Sequence, residues 1–387
     1  MLGDISVIDP PFLLALGAAA LAVSVAGWRP AQRRWLRISV RGLGVVMTVL
    51  VTAAAINARF EYLPTWSSLF GKRAADQVSL AQLRQLELGG LGGSATGRLA
   101  LAQAGSGDAR GVVIPFVIPG TRSHFHARTA QVYLPPAYFR SRHERFPVIE
   151  LLHGEPGSPA DWTRGAYVDV TADDYAAQHH GLAPILVMPD TNGGWLRDSE
   201  CVNGKRGQVQ TYLTVDVHDA VVARLRARGN AQSWAIAGLS EGGYCALQIA
   251  LRNPNFYRTV GDYSGGAGPS VFGGLHKLFV GTPAQVATRA AAYDPVVLLQ
   301  HWNLAASAPA IWFEDGSQDK TLPAMAHQDE LARRLGFDTH LALYSGPNHS
   351  FGFWGKSFAD SLPWIAERIT APSLDPAAAS SGLRAAG

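Results

Sequence analysis

Six continuous apolar runs of strand length dominate the middle and end of this 387-residue chain: FPVIELLHG, APILVMPD, SWAIAGLS, RTVGDYSG, APAIWFED and THLALYSG. A run with no polar alternation suits a strand covered on both faces, as in a parallel sheet. Stretches with helical spacing lie between them: VDVTADDYAAQHH, TYLTVDVHDAVVARLRAR, EGGYCALQIALRN and AMAHQDELARRLG. Such alternation predicts an α/β domain with helices on both faces of a mostly parallel sheet. RGVVIPFVI and ARTAQVYLP precede the first run and read as early antiparallel strands.

With 47% hydrophobic and only 16% charged residues, the chain can bury a large core, and ordinary disorder is excluded. The net charge of +3 comes with scattered arginines and no basic run, so a nucleic-acid partner is not expected. Much of the apolar excess sits at the N-terminus. Phe12 to Trp28 and Gly42 to Ala58 are uncharged stretches of 17 residues each. A 17-residue helix reaches about 26 Å, just short of a hydrocarbon core of about 30 Å, and flanking arginines and Trp28 can make up the difference.

Between the two stretches lie Arg29, Arg33, Arg34, Arg37 and Arg41, whereas Asp4 and Asp9 precede the first. The positive-inside rule then predicts two transmembrane helices with a cytoplasmic arginine loop and everything after about residue 60 outside the cytoplasm. A cleaved signal peptide would carry positive charge where Asp4 and Asp9 stand. The competing readings are a pair of buried core helices, or a single anchor with a false second span. The expected organisation is a membrane anchor over 1–60, a linker with a short helix over 61–110, a catalytic domain over 111–372 and a disordered tail over 373–387. GGLGGSATG within the linker is not a phosphate loop, because Arg98 and Leu99 follow Gly97 where Lys and Ser/Thr are required.

Gly238-Leu239-Ser240-Glu241-Gly242 is a G-x-S-x-G pentapeptide. Alone it is weak in a glycine-rich chain. Here it closes an apolar strand and opens an amphipathic helix, the strand–turn–helix setting of a nucleophile elbow. The turn lifts the Ser240 hydroxyl above the sheet, and the helix N-terminus favours negative charge beside it. Acyl transfer in this setting needs an acid and then a histidine later in the chain. Asp319 follows the strand APAIWFED in a turn and is the preferred acid, with Asp315 and Glu314 as competitors. His349 follows the strand THLALYSG and is the expected base. His153 precedes the nucleophile and is expected to organise its own loop. The two oxyanion N–H donors are expected from Glu241 and from Glu155, since Pro156 has none. The glutamate charges could disfavour strongly acidic acyl groups.

With these residues in place, the segment from about 111 to 370 resembles the bacterial putative-esterase family of α/β-hydrolases. That family includes esterase D-like enzymes and secreted mycolyltransferases. VYLPPAY, LLHGEPGSPADW, GLSEGGYCALQIALRNP and PNHSFGFW carry the resemblance. The whole chain looks like membrane-anchored actinobacterial members, which have N-terminal spans, a YLPTWSSLFG-like exit and an ECVNGKRGQVQTYLTVDV-like segment. The resemblance implies that Glu155 and Glu241 supply the oxyanion amides. Gly316-x-x-Asp319 is closer to the esterase pattern than to the differently placed glutamate of mycolyltransferases, which favours hydrolysis, or a different acyl transfer, over mycolyl transfer.

The expectation is therefore a serine carboxylic-ester hydrolase acting outside the plasma membrane on an ester or acyl-lipid. The alternatives are an acyltransferase to a sugar or lipid of the envelope and a non-catalytic envelope binding protein. No cofactor is expected, and no metal: DTNGGWLRD is too loose for a calcium loop. Cys201 and Cys245, the two cysteines of the chain, could form a disulfide near the site's rim outside the cytoplasm. Trp162, Trp195, Phe351 and Trp354 are placed in loops near strand ends, where they could line an acyl pocket or simply pack.

Overall fold

The computed structural model describes residues 6–28, 34–65 and 110–370, save 141, 142, 305 and 347. The arginines at 29 and 33, the expected linker helix and the expected tail lie outside the described residues.

Two helices open the chain, α1 (Pro10–Ala26) and α2 (Arg34–Phe60). They pack closely at Gly44, where a Cβ would lie 3.1 Å from the Ser24 hydroxyl. Arg41 Nε donates to the Gly27 carbonyl at 3.3 Å. By length and composition α2 is apolar enough to cross a membrane, whereas α1 is a shorter apolar helix of 17 residues. Of the two spans expected from the sequence, one thus meets that length on its own.

The rest is built on an eight-stranded sheet. In chain order its strands are β1 (Val112–Phe116), β2 (Ala130–Leu134), β3 (Val148–Leu152) and β4 (Ile185–Met188). A small hairpin follows, β5 (Asn203–Gly204) with β6 (Gly207–Gln208). The sheet resumes with β7 (Trp234–Leu239), β8 (Thr259–Tyr263), β9 (Ala310–Gly316) and β10 (Thr339–Tyr344). Its order is β1-β2-β4-β3-β7-β8-β9-β10. The β1–β2 and β2–β4 pairs are antiparallel, and every later pair is parallel, as the change from early to continuous apolar runs predicts. Strands β3, β4, β7, β8 and β9 are buried along their whole length. A mostly parallel sheet of this order, covered by helices, is the α/β-hydrolase fold.

Two apolar layers sandwich the sheet. One contains Val148, Ile236, Val260 and Ile311 with the helix Glu241–Arg252, and the other contains Ile149, Ala235, Ala237 and the inner face of the helix Phe351–Thr370. That last helix corrects the expectation that Phe351 and Trp354 lie in a loop. Its short PNHSFGFW lead-in hides the helical period, yet Phe353, Trp354, Phe358, Leu362 and Ile365 fall at helical spacing and are all buried. Trp162 is likewise not a loop residue: it lies in the short helix Asp161–Arg164, fully buried against Tyr263 and Phe358.

Cys201 and Cys245 are bonded, with Cα atoms 5.7 Å apart, and both are fully buried. The bond ties the loop after β4 to the helix that follows Ser240 across a sequence separation of 44. Closing a loop of that length is worth about 2–4 kcal/mol. The Cys201→Ala/Cys245→Ala double variant is expected to lose stability of that size in chemical denaturation, and the native protein should show no free thiol after unfolding without reductant. Two titratable thiols would contradict the bond.

Candidate active site

The turn between β7 and the helix Glu241–Arg252 places Ser240 with φ 54° and ψ −122°, a conformation rarely adopted by a side-chain-bearing residue. Such a position costs on the order of 1–3 kcal/mol, so the surroundings must hold it. Ser240 N donates to the Tyr263 carbonyl at 2.9 Å, while Gly243 N and Tyr244 N donate to the Ser240 carbonyl. Flanking glycines are a packing necessity. A Cβ on Gly238 would sit 1.9 Å from the Gly242 carbonyl oxygen, and one on Gly242 would sit 2.1 Å from that of Leu152.

Two other strand ends converge on this turn. Ser240 Oγ lies 3.0 Å from His349 Nε2, and His349 Nδ1 lies 2.9 Å from Asp319 Oδ2. His349 follows β10, Asp319 follows β9, and both are largely screened from solvent. The competing acids are engaged elsewhere. Asp315 accepts from Thr321 Oγ1 at 2.8 Å and from its neighbour Gly316 N, and Glu314 accepts from Trp312 Nε1 at 2.6 Å. Burial pushes Asp315 up to about 6 and Glu314 up to about 7. Desolvation lowers the His349 imidazole below its usual value despite the Asp319 carboxylate, with Lys320 and Arg59 adding to the lowering. A neutral imidazole beside a hydroxyl, with a carboxylate fixing its tautomer, can take up the hydroxyl proton as a nucleophile attacks.

The loop after β3 runs beside the serine: a Cβ on Gly154 would be 3.2 Å from Ser240 Cβ. It carries Glu155, while Glu241 opens the helix. A network that sequence reasoning missed holds this loop. Arg128 Nη2 donates to the Gly157 carbonyl at 2.9 Å and pairs with Asp190 at 2.6 Å. His153 lies 3.2 Å from the same Asp190 oxygen, and its Nδ1 contacts the Gly154 carbonyl at 2.8 Å, so it does organise its own loop. Burial alone would raise the Asp190 carboxyl, but hydrogen bonds from His153 and Arg128 outweigh that and hold it well below the usual range. The available signal was Asp190 at the end of the run APILVMPD, at the same sheet edge as His153.

The glutamate side chains behave differently from the expectation of a charged rim. Glu241 accepts from Asn192 Nδ2 at 3.0 Å and from Glu200 N at 3.1 Å. Burial raises Glu241, Glu200 and Glu155, and crowding by Asp198 lifts the first two further. Each of these shifts favours the protonated carboxyl over the charged one. Cys201, Glu241 and Cys245 lie close enough to hold a metal, but both sulfurs are taken by the disulfide, so only one carboxylate is on offer. Trp354 is buried with its ring centroid 4.9 Å from that of His349 in a T-shaped arrangement, Phe351 is half-buried, and Trp195 is exposed on the loop after β4.

A hydroxyl, imidazole and carboxylate at the C-terminal edge of such a sheet define a serine-hydrolase class of site. The family model described as "Putative esterase" matches residues 123–365, and the chain belongs to this esterase family. An uncharacterised protein of Corynebacterium glutamicum is 30% identical over 347 residues, covering 84% of this chain and 74% of that protein. S-formylglutathione hydrolase of Paracoccus denitrificans is 25% identical, over 62% of this chain and 88% of its own length. Among solved structures, a ferulic acid esterase superposes with TM-score 0.56 at 18% identity, covering 67% of this chain and 99% of its own. The fluorophosphonate-binding serine hydrolase F of Staphylococcus aureus gives 0.55 at 18% identity, over 66% and 99%. The protein is a serine esterase of this family.

The lowered imidazole fixes a sign. A base that must be neutral gives kcat/KM that rises with pH and levels off above its pKa, so the acid limb is expected to have its midpoint below pH 6.5. Asp319→Asn should cut kcat by about 10⁴-fold through loss of the tautomer. Wild-type turnover in Asp319→Asn would shift the acid's role to another carboxylate.

Proposed function

We propose that the protein hydrolyses carboxylic esters through an acyl-enzyme on Ser240, with His349 as general base and Asp319 as its orienting acid. The observation that carries this reading is the unbroken contact chain Ser240 Oγ–His349 Nε2 and His349 Nδ1–Asp319 Oδ2, at 3.0 and 2.9 Å. In the first half-reaction His349 takes the Ser240 proton as Oγ attacks the ester carbonyl. The N–H groups of Glu155 and Glu241 receive the developing oxyanion. Collapse expels the alcohol, which takes the proton back from the imidazolium. In the second half-reaction His349 deprotonates water, which attacks the acyl group and releases the carboxylic acid. Similarity to S-formylglutathione hydrolase supports hydrolysis as the outcome.

The same reading places the catalytic domain, from about residue 111 to 372, on the outer side of the plasma membrane behind a two-helix anchor. Leu14, Leu21, Val45 and Val49 project from α1 and α2 with 62–74% of their surface exposed, an arrangement that water penalises and a bilayer does not. A buried disulfide suits an oxidising compartment. An ester of the cell envelope, reached from the membrane surface, is the proposed substrate class.

Ser240→Ala is expected to abolish fluorophosphonate labelling and to lower kcat about 10⁶-fold on p-nitrophenyl esters. Labelling that survives the substitution would remove Ser240 from the chemistry. Product analysis with and without sugar acceptors distinguishes free acid, the expected product, from transferred acyl groups. For topology, a reporter fused after residue 35 should be cytoplasmic and one after residue 75 external; the reverse pattern overturns the orientation.

A further inference from the structure

We propose that Arg59, Glu61 and Tyr62, where α2 ends, form a positioning clip that holds the His349–Ser350 loop and the Gly154–Ser158 loop in one register. The inference rests on the esterase reading of Ser240 and His349. Arg59 Nη1 donates to the His349 carbonyl at 3.2 Å. Ser350 Oγ donates to Glu61 Oε2 at 2.8 Å. Tyr62 OH donates to Asp161 Oδ1 at 3.2 Å, and the Asp161 carboxylate accepts from both Ser158 N and Ser158 Oγ at 2.9 Å. Three contacts from four consecutive positions, 59–62, therefore reach the loop of the base and the loop of the proposed oxyanion donor.

Aromatic packing repeats the connection. The Tyr62 ring meets Phe351 edge-on at 4.8 Å, Phe351 meets Trp354 at 5.0 Å, and Trp354 meets the His349 ring at 4.9 Å. Room for the clip depends on missing side chains in the domain: a Cβ on Gly352 would lie 2.3 Å from Glu61 Oε2, and one on Gly165 would lie 3.0 Å from Tyr62 Cδ2. The clip is itself stiff. Asn57 and Leu63 exchange two hydrogen bonds of 2.8 Å across it, and Val7 N donates to the Pro64 carbonyl at 3.0 Å. A chain segment serving only as a tether needs none of this convergence on two catalytic loops.

The clip also brings charge. The groups facing the His349 imidazole are Asp319, which favours its protonated form, and Lys320 and Arg59, which oppose it. Removing the Arg59 cation should therefore favour the protonated base and move the acid limb of activity upward.

The test uses the full chain in detergent micelles, with kcat, KM, the pH profile of kcat/KM and melting followed by tryptophan fluorescence. Arg59→Gln is expected to shift the acid limb upward by on the order of a few tenths of a pH unit, and Arg59→Lys to keep it in place. Glu61→Ala is expected to lower kcat about 10- to 100-fold with little change in KM, because misplacing a base costs rate more than binding. Glu61→Gln, which can still accept from Ser350, should recover most of that loss. Combining Glu61→Ala with Ser350→Ala should be no worse than Glu61→Ala alone. Wild-type kcat and acid limb in both Arg59→Gln and Glu61→Ala would overturn the clip, as would a kcat loss that tracks melting and is not recovered by Glu61→Gln. Failure of the underlying esterase reading is separately visible, as a wild-type protein that fluorophosphonate does not label.

Discussion

Everything at the site depends on a backbone-to-backbone approach between the ends of β3 and β7 and the first turn of the helix after Ser240. Gly238 and Gly242 leave no room for a Cβ, because carbonyl oxygens of Gly242 and Leu152 occupy those positions. Parallel pairing of β3 with β7, from Val148 with Trp234 to Leu152 with Gly238, brings the two strand ends to the same edge. The left-handed φ of Ser240 follows from this crowding, since the chain must reverse within one residue to start a helix on top of the strand. The site's strain is thus a product of sheet register, and the sheet's fully buried interior supplies the energy that sustains it.

The same interior sorts the acids by role. Glu150 and Asp262 are buried in β3 and β8, and desolvation raises each to about 8, so they are neutral at pH 7. Glu150 is satisfied by the Tyr257 hydroxyl at 2.8 Å. By contrast, Asp190 meets Arg128 and His153 at the edge where strands end, and their hydrogen bonds hold its carboxyl well below the usual range. Charge is kept where a cationic or ring-nitrogen partner meets it and is given up where only apolar walls surround it, as desolvation requires. In the acidic rim, burial likewise raises Glu155, Glu200 and Glu241.

Much of the fold was legible because its evidence is local. Each central strand is an unbroken apolar run, and each produced a strand within a residue or two of the predicted bounds. Ser240, Asp319 and His349 could be placed next to one another from topology alone, since all three follow parallel strands and parallel strands end on one edge. The last helix was missed because its amphipathic period starts directly after the His349 loop, with two glycines in its first turns. The Arg128–Asp190–His153 network was missed for another reason. Its members are ordinary in sequence and acquire meaning only when β2, β3 and β4 stand side by side.

The clip is the extreme case of that second kind. Arg59 and His349 are 290 positions apart, and no pattern in the sequence joins them. A helix that merely fastens an enzyme to a surface could end anywhere on the domain, connected by any slack peptide. Here the helix ends one residue before Glu61, in a turn closed by Asn57, and its last cation meets the backbone of the proposed base. Under that geometry the end of α2 is joined by hydrogen bonds to the His349–Ser350 loop and to Asp161. A mouth held this way against the end of an apolar helix would receive esters from the same surface that holds the helix, which joins the chemistry proposed for Ser240 to the place proposed for it.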